Sequence, residues 1–582
     1  MSTTTQQGIA LSDVQRLTAA AQSVLDRALA HARIATNGGK AIDEHQVQAE
    51  RVAYAATELR AAKELLRYAE SAAAAGKAGP ELEAMAIAFA VETAQRLRAQ
   101  IEAAPDDFDV DDATLRAELG TPDLMAVIRA GLDEARYRAI GRHVLETRGS
   151  NRIWLDDETA EMTRDHVRAF AKSEVAPLAE TIHRQDLLVP DDLIKKIAEM
   201  GLFAASIPEQ YGGTDMGYMV MVITTEELSA ASLGAAGSLN TRPEILIKAL
   251  LAGGTEEQRQ KWLPRIASGE KLVAIAVTEP DIGSDVAGVS CKAEHATIDG
   301  KAGWVLNGNK AWSTFSGRAD VLALLARTNP DPASGARGLS LFIVEKHQEY
   351  GHEFEQRQLG GGTISGKAIA TPGYRGMHSF MLNFDGYFVP EANLVGMEGG
   401  LNRGFYLQMA GFEMGRLQTG GRACGVAQAA LEQTATYCTD RKQFGKSIGD
   451  YQLTQYKLGR MATQLAAARQ LTYAAARALS PSPGLPQRAG RGGPENQNPS
   501  PIAMGEGQGR GTGALDAAMA KLFACDVAVW LTQEGQLLHG GWGYAEETPI
   551  SRYVADAQVL PIFEGAKPIL ELKVIARNLL AG

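Results

Sequence analysis

The stretch Val277-Thr-Glu-Pro-Asp-Ile-Gly-Ser-Asp285, followed by Trp304-Val-Leu-Asn-Gly-Asn-Lys-Ala-Trp312-Ser-Thr314, stands where the hydrophobic period of this 582-residue chain changes. Around it, Val321-Leu-Ala-Leu-Leu-Ala, Leu339-Ser-Leu-Phe-Ile-Val and Met381-Leu-Asn-Phe are short apolar or alternating runs cut by Gly, Asn and Pro. That pattern predicts strands over residues 273–395. Upstream, residues 151–272 read as helix with breaks at Pro177, Pro190 and Gly212-Gly213. Residues 1–150 read as helix almost throughout, and His45–Glu70 carries apolar residues at i, i+3, i+4 spacing. Downstream, residues 396–582 are helical again, interrupted by a Pro-, Gly-, Gln- and Asn-rich segment, 480–513, expected to be a flexible loop. The order is helical, helical, β, helical: mostly α with a central β domain.

The composition, 45% apolar and 22% charged, is that of an ordinary globular protein with ample core. A net charge of −11 argues against general binding to nucleic-acid phosphates. No run approaches the ~18 apolar residues of a membrane span. The start, Met1-Ser-Thr-Thr-Thr-Gln-Gln, lacks the basic and apolar regions of a secretory signal. Cys291, Cys424, Cys438 and Cys525 are widely spaced and form no C-x-x-C, so buried reduced thiols and no metal are expected, in a cytoplasmic enzyme.

The two helical ends repeat each other. A shift of 406 places Gln46, Ala56, Thr57, Leu59, Ala61, Ala62, Leu65 and Ala69 on Gln452, Ala462, Thr463, Leu465, Ala467, Ala468, Leu471 and Ala475. Past the loop the shift becomes 434, and Ala84-Met85-Ala86, Phe89-Ala90, Ala94 and Leu97 meet Ala518-Met519-Ala520, Phe523-Ala524, Ala528 and Leu531. One ungapped register either side of a single insertion marks residues 1–150 as a degenerate copy of the C-terminal helical domain.

Two motifs mislead. Gly509-Arg-Gly511-Thr-Gly-Ala514 fits G-x-G-x-x-A but has no strand before it, and Gly445-Lys446-Ser447 has Asp440 where a P-loop needs its first glycine. By contrast, the opening stretch joins Arg441-Lys-Gln-Phe444-Gly-Lys, His539-Gly-Gly-Trp-Gly-Tyr544 and Ile562-Phe-Glu564-Gly565 in one order along residues 155–582. Together they resemble the acyl-CoA dehydrogenase family of flavoproteins. The resemblance implies a helical domain, a central β-barrel and a C-terminal four-helix bundle, with FAD in the cleft between them, here plus an N-terminal helical extension.

It also implies roles. Val277, Thr278 and Thr314 would meet the flavin edge, and Trp312 would lie against its ring, excluding water. Arg441 and Phe444 match residues that in the family reach a neighbour's FAD across a dimer two-fold, the arginine offering a forked donor set to pyrophosphate. Gln452, Gly540 and Gly541 complete the expected cofactor contacts. Ser284 and Arg416 match substrate-side residues near the pantetheine and CoA. Glu564 matches the base that takes the α-proton, with its own N–H and Gly565 at the thioester. Some relatives carry the base at a site that falls here on Gly415, which cannot serve.

The chain departs from the family in two places. Ala566-Lys567-Pro568 stands where Thr-x-Gln is usual, and the glutamine before Gly540-Gly541 sits one place early, at Gln536, with Leu537 in its position. In the repeat register Arg441, Phe444 and Glu564 pair with Ala35, Gly38 and Ala130, so the N-terminal copy lacks the chemistry. A homodimer is expected, the extra copy filling the surface where tetrameric relatives pair their dimers.

The extension, the insert around Gln358-Leu-Gly-Gly-Gly-Thr-Ile-Ser-Gly366 and Gly373-Tyr-Arg-Gly-Met-His378 resemble the branch of the family that oxidises a branched dicarboxylic acyl-CoA. That implies electron-transferring flavoprotein as acceptor. Burying the substrate's free carboxylate requires a positive partner, for which Arg242 in Asn240-Thr241-Arg242 is the candidate. An acyl-CoA oxidase or a dehydrogenase of another short-chain acyl-CoA would share every motif. A non-enzymatic flavin-binding scaffold would have no use for Glu564.

Overall fold

The computed structural model describes residues 9–150, 153–479 and 512–581. Most of the expected loop, 480–511, and the first half of the G-x-G-x-x-A match therefore lie outside the described residues. Thr512 and Gly513, expected as loop, instead begin the helix Thr512–Leu538. Two compact units make up the molecule: residues 162–425, and the described residues up to Glu161 with Val426–Leu479 and those from Thr512 onward.

In the first unit, helices cover one side of a sheet. Thr255 and Gln258 form a reciprocal capping box that starts the helix Glu256–Ala267. Its Trp262 is fully buried in a core shared with Leu246 and Leu250 of the helix Glu244–Gly253 and with Val273, Val321, Ala323, Leu341 and Ile343 of the sheet. The strands are β1 Val273–Ala276, β2 Lys292–Ile298, β3 Lys301–Thr314, β4 Val321–Arg327, β5 Leu339–Glu345, β6 Glu353–Arg357, β7 Thr363–Ile369 and β8 Ser379–Pro390. The strand β4 is buried on both faces, whereas β8 alternates buried and exposed residues, so one of its faces meets solvent.

The strand β4 pairs with β5, with β1 and, at one end, with β2, from which the order continues β3, β8, β7 and β6. Among the described residues no ladder joins β6 back to β5, so the sheet is open by hydrogen bonding where a closed barrel was expected. The β3–β8 ladder loses register between Lys310 and Ser313. That irregularity turns Trp312 outward at φ 56°, with 58% of its surface exposed.

The second unit is helical and nearly two-fold within one chain. The helices Gln46–Ala74 and Gln452–Leu479 start at equivalent points of the repeat, as do the single turns Ile42–Glu44 and Ile448–Asp450 before them. Phe89 and Phe523, equivalent by the shift of 434, meet edge to face with centroids 5.6 Å apart. The last helix of each copy packs on the second helix of the other. Glu134–Glu146 lies on Gln452–Leu479, and Leu570–Ala576 lies on Gln46–Ala74. The first crossing is so close that a β-carbon on Gly141 would stand 1.8 Å from the Gln455 carbonyl oxygen, and one on Gly459 1.9 Å from that of Tyr137. Their equivalents at the second crossing, Ile575 and Ala53, are fully buried.

Candidate active site

In the unit that holds the sheet, Val277 and Thr278 follow β1 and sit beside the end of β3. The Ala311 N–H donates to the Thr278 carbonyl at 2.8 Å. Lys310, wholly buried, donates to the Val277 carbonyl and to Glu279 Oε1, both at 2.9 Å. Glu279 also accepts from the Ser290 amide and hydroxyl and from the Cys291 amide. Burial pushes the Glu279 carboxyl up, but the Lys310 charge and these bonds outweigh it and hold the group below the usual carboxylate range.

The Thr314 hydroxyl lies 2.8 Å from that of Ser379, so the start of β8 orients it. These contacts bring Val277, Thr278, Trp312 and Thr314 together along one strand-end edge. Ser284 is exposed on the turn beyond, where the Glu279 and Ile282 backbones bridge. The strand-alternation signal would have placed Lys310 in solvent, so the sequence reading missed the Lys310–Glu279 pair, and Ser379 with it.

Arg242 is 6% exposed, and its Nε donates to the Ser238 carbonyl at 2.9 Å. It lines a small cavity with Phe203, Leu239 and Phe315, the residue after Thr314. A neighbouring cavity is lined by Asn240, Thr241, Thr224 and Gln418, and the buried Asn240 Oδ1 has no hydrogen-bond partner there. Arg416 is half-buried on the helix Gly404–Asp440. Near it, burial raises the Glu413 carboxyl while Arg416 opposes the shift.

In the helical unit, Arg441 is exposed at the end of the helix Gly404–Asp440, before a hairpin whose strands are Lys442–Gln443 and Lys446–Ser447. Phe444 in that hairpin is 95% exposed at φ 53°. Tyr437, one turn before Arg441, stacks on His539 at 4.3 Å, which sets the Gly540-Gly541 turn beside that helix end. A β-carbon on either glycine would meet nothing within 4 Å. Gln452 is exposed at the start of its helix. Gln536 turns inward and donates to the Gly543 carbonyl at 3.0 Å, leaving Leu537 68% exposed. Glu564 is half-buried at φ 54°, followed by Gly565 at φ 102°. Lys521, also missed in the sequence, donates to the Gly565 carbonyl from the helix Thr512–Leu538.

Each unit by itself offers groups that suit part of a flavin dinucleotide: an outward indole and strand-end hydroxyls in the sheet-bearing unit, and in the helical unit an exposed guanidinium and phenyl and a glycine turn with open space over it.

Elsewhere among the described residues, Asp186, His352 and His378 converge. His378 Nε2 lies 3.1 Å from Asp186 Oδ1 and 3.0 Å from His352 Nε2. Its Nδ1 is buried without a partner, whereas a ligating histidine ordinarily passes that N–H to an acceptor. The cluster reads as a hydrogen-bonded pin beneath Ser379. Cys291, Cys424, Cys438 and Cys525 are all buried, and none of them forms a disulfide. No helix among the described residues is long and apolar enough to cross a membrane.

Comparison with known proteins assigns most of the chain to one family. Residues 157–270 match the family "Acyl-CoA dehydrogenase, N-terminal domain", and residues 274–386 match "Acyl-CoA dehydrogenase, middle domain". "Acyl-CoA dehydrogenase, C-terminal domain" matches residues 402–489 and 502–580 and also residues 13–102. The (2S)-methylsuccinyl-CoA dehydrogenase of Cereibacter sphaeroides is 37% identical over 98% of this chain and 97% of its own length. An acyl-CoA dehydrogenase of Bacillus subtilis is 36% identical but covers 72% of this chain and 98% of its own. Among solved structures, butyryl-CoA dehydrogenase from Megasphaera elsdenii superposes with a TM-score of 0.60 at 28% identity, covering 72% of this chain and 98% of that one.

Proposed function

The chain belongs to the acyl-CoA dehydrogenase family of FAD enzymes, and from that premise we propose that it oxidises (2S)-methylsuccinyl-CoA to mesaconyl-CoA. Its electrons pass to an electron-transferring flavoprotein. The observation that carries the substrate is Arg242, a buried guanidinium whose partner among the described residues is one backbone carbonyl. A buried cation without a counter-charge is costly, and the distal carboxylate of a dicarboxylic acyl chain supplies one. The likeness to the methylsuccinyl-CoA enzyme covers 98% of this chain and so runs through the N-terminal copy, whereas that to the Bacillus relative covers 72%.

FAD, when bound, supplies the acceptor for the hydride that leaves the β-carbon. Thr278, Thr314 and the Val277 backbone would hold the flavin edge, Trp312 would exclude water from its face, Gln452, Gly540 and Gly541 would hold the rest of the dinucleotide, and Arg441 and Phe444 would reach the FAD of the other subunit. Glu564 takes the α-proton. Its own N–H donates to the thioester oxygen, stabilising the charge that develops there as the proton leaves. Gly565, Ser284 and Arg416 bind the thioester, pantetheine and CoA.

We further propose a cytoplasmic protein, and a homodimer in which the N-terminal copy fills the face by which tetrameric relatives pair their dimers. Helix starts that coincide under the repeat shift, and the C-terminal-domain match at residues 13–102, support the duplication. Native mass spectrometry is expected to give two chains, and a tetramer overturns this assembly.

Anaerobic mixing with methylsuccinyl-CoA and with butyryl-CoA, followed by flavin absorbance, tests the substrate. Rapid bleaching is expected with the first alone, and Arg242→Ala is expected to slow it about 100-fold. Bleaching by butyryl-CoA at equal rate removes the dicarboxylic assignment.

A further inference from the structure

Lys567 stands inside the segment that departs from the family. Its backbone N–H donates to the Pro561 carbonyl at 2.9 Å, closing residues 561–567 into one loop with Glu564 at its far end. Its ammonium donates to Asp526 Oδ2 at 2.7 Å, on the helix Thr512–Leu538. The same oxygen accepts the hydroxyl of Tyr54 at 2.7 Å, and Lys567 Nζ lies 5.3 Å over the Tyr54 ring. Tyr54 belongs to the N-terminal copy, on the helix Gln46–Ala74.

We propose that Tyr54, Asp526 and Lys567 are positioning residues through which the N-terminal copy holds the loop that presents Glu564; this rests on Glu564 being the base. A glutamate at positive φ is strained and persists only where its surroundings hold it. Here two lysines do so, Lys521 on the Gly565 carbonyl and Lys567 on the end of the loop. Burial alone would lower the Lys567 pKa, but its bond to Asp526 outweighs that and raises it. Burial drives the Tyr54 phenol well above its usual range, so it remains a donor.

The equivalent acid in the other half, Glu92, accepts from Arg460 at 2.9 Å and Tyr137 at 2.8 Å. Each copy thus anchors the other's third helix through one carboxylate. Only on the C-terminal side does the anchor continue, through Lys567, into a loop with a carboxylate at its tip. The N-terminal copy has lost its own site and acts here on its partner's.

The test uses the full-length FAD-loaded protein and the acyl-CoA that bleaches its flavin. Tyr54→Phe, Lys567→Ala and Lys567→Arg are compared with Lys573→Ala, which removes an exposed ion pair to Asp43 joining the same two copies. The readouts are kcat, KM, the isotope effect from α-deuterated substrate, FAD content and melting temperature. Lys567→Ala is expected to lower kcat about tenfold and Tyr54→Phe about threefold, with KM within twofold and a larger isotope effect. Lys567→Arg restores most of the rate, and Lys573→Ala matches wild type.

Unchanged kcat and isotope effect in Lys567→Ala and Tyr54→Phe overturn the proposal. So does a loss that merely follows FAD content or melting temperature. Where Lys567→Ala does not fold, Tyr54→Phe, which deletes one hydroxyl, decides. Glu564→Gln is measured alongside: activity retained there removes the assignment of the base, a different failure.

Discussion

The two copies in the helical unit keep one backbone while differing in what they place on it. Gly38 and Gly39, at φ 66° and 80°, correspond to Phe444 and Gly445, at φ 53° and 83°, so the same turn is made with and without an aromatic side chain. Glu134–Glu146 corresponds to residues 568–580 at the other end. They part just before it. Residues 122–131 form a helix with Ala130 exposed on it, where the C-terminal copy has a loop that brings Glu564 to positive φ. Burial kept the helices, because each seats on the other copy. Phe444, 95% exposed, and the half-buried Glu564 carry no such packing duty, and there the copies diverged.

The largest effect should come from exchanging those two positions. Glu564→Gln is expected to lower flavin reduction by about 10³-fold or more, and adding Ala130→Glu to that variant should restore none of it. Recovery through Ala130→Glu would break the division between a working and a silent copy. The next lies on the pseudo-axis. Phe89→Ala and Phe523→Ala should each cost about 3–5 kcal/mol in denaturant unfolding, with a coupling of about 0.5–1.5 kcal/mol between them. Equal losses sharpen the two-fold; a loss on one side alone breaks it.

The smallest effect concerns Glu58, buried at 2% and equivalent to the neutral Gln464. Burial, opposed by Arg96, pushes its carboxyl up to about 7 from an unfolded value near 4.5. The fold therefore binds this proton more tightly than the unfolded chain does. Its contribution is complete below the unfolded value and is lost as pH rises through about 7, by at most about 3–4 kcal/mol. Glu58→Gln should flatten melting temperature against pH over that window. An unchanged slope would show that the two buried positions are electrostatically alike.

Much of this was legible in the sequence for physical reasons. Helices buried on several sides need Ala and Leu at fixed spacings, so Ala61-Ala62 and Ala467-Ala468 still match. The strand-end motif is carried by two short adjacent runs, so the sharing of one edge by Thr278, Trp312 and Thr314 was legible. What escaped depends on pairing between distant segments. Lys310 reads as a solvent-facing strand residue until Glu279 is folded beneath it. The missing Thr-x-Gln was visible at residues 566–568, but not that Lys567 reaches Asp526 and Tyr54. Sheet closure is set by which edges meet, and no local pattern in β5 or β6 encodes it.

The exchange of terminal helices also imposes an order on biogenesis. The helix Glu134–Glu146 is made early, yet its seat on residues 452–479 is translated some three hundred residues later. At bacterial or eukaryotic elongation rates of about 5–20 residues/s, it waits roughly 15–60 s with an unburied face. The sheet-bearing unit between them must therefore mature while the nascent amino-terminal helices are still incomplete. A chaperone that shelters amphipathic helices would act in that interval, and truncation before residue 452 would leave them without a fold to join.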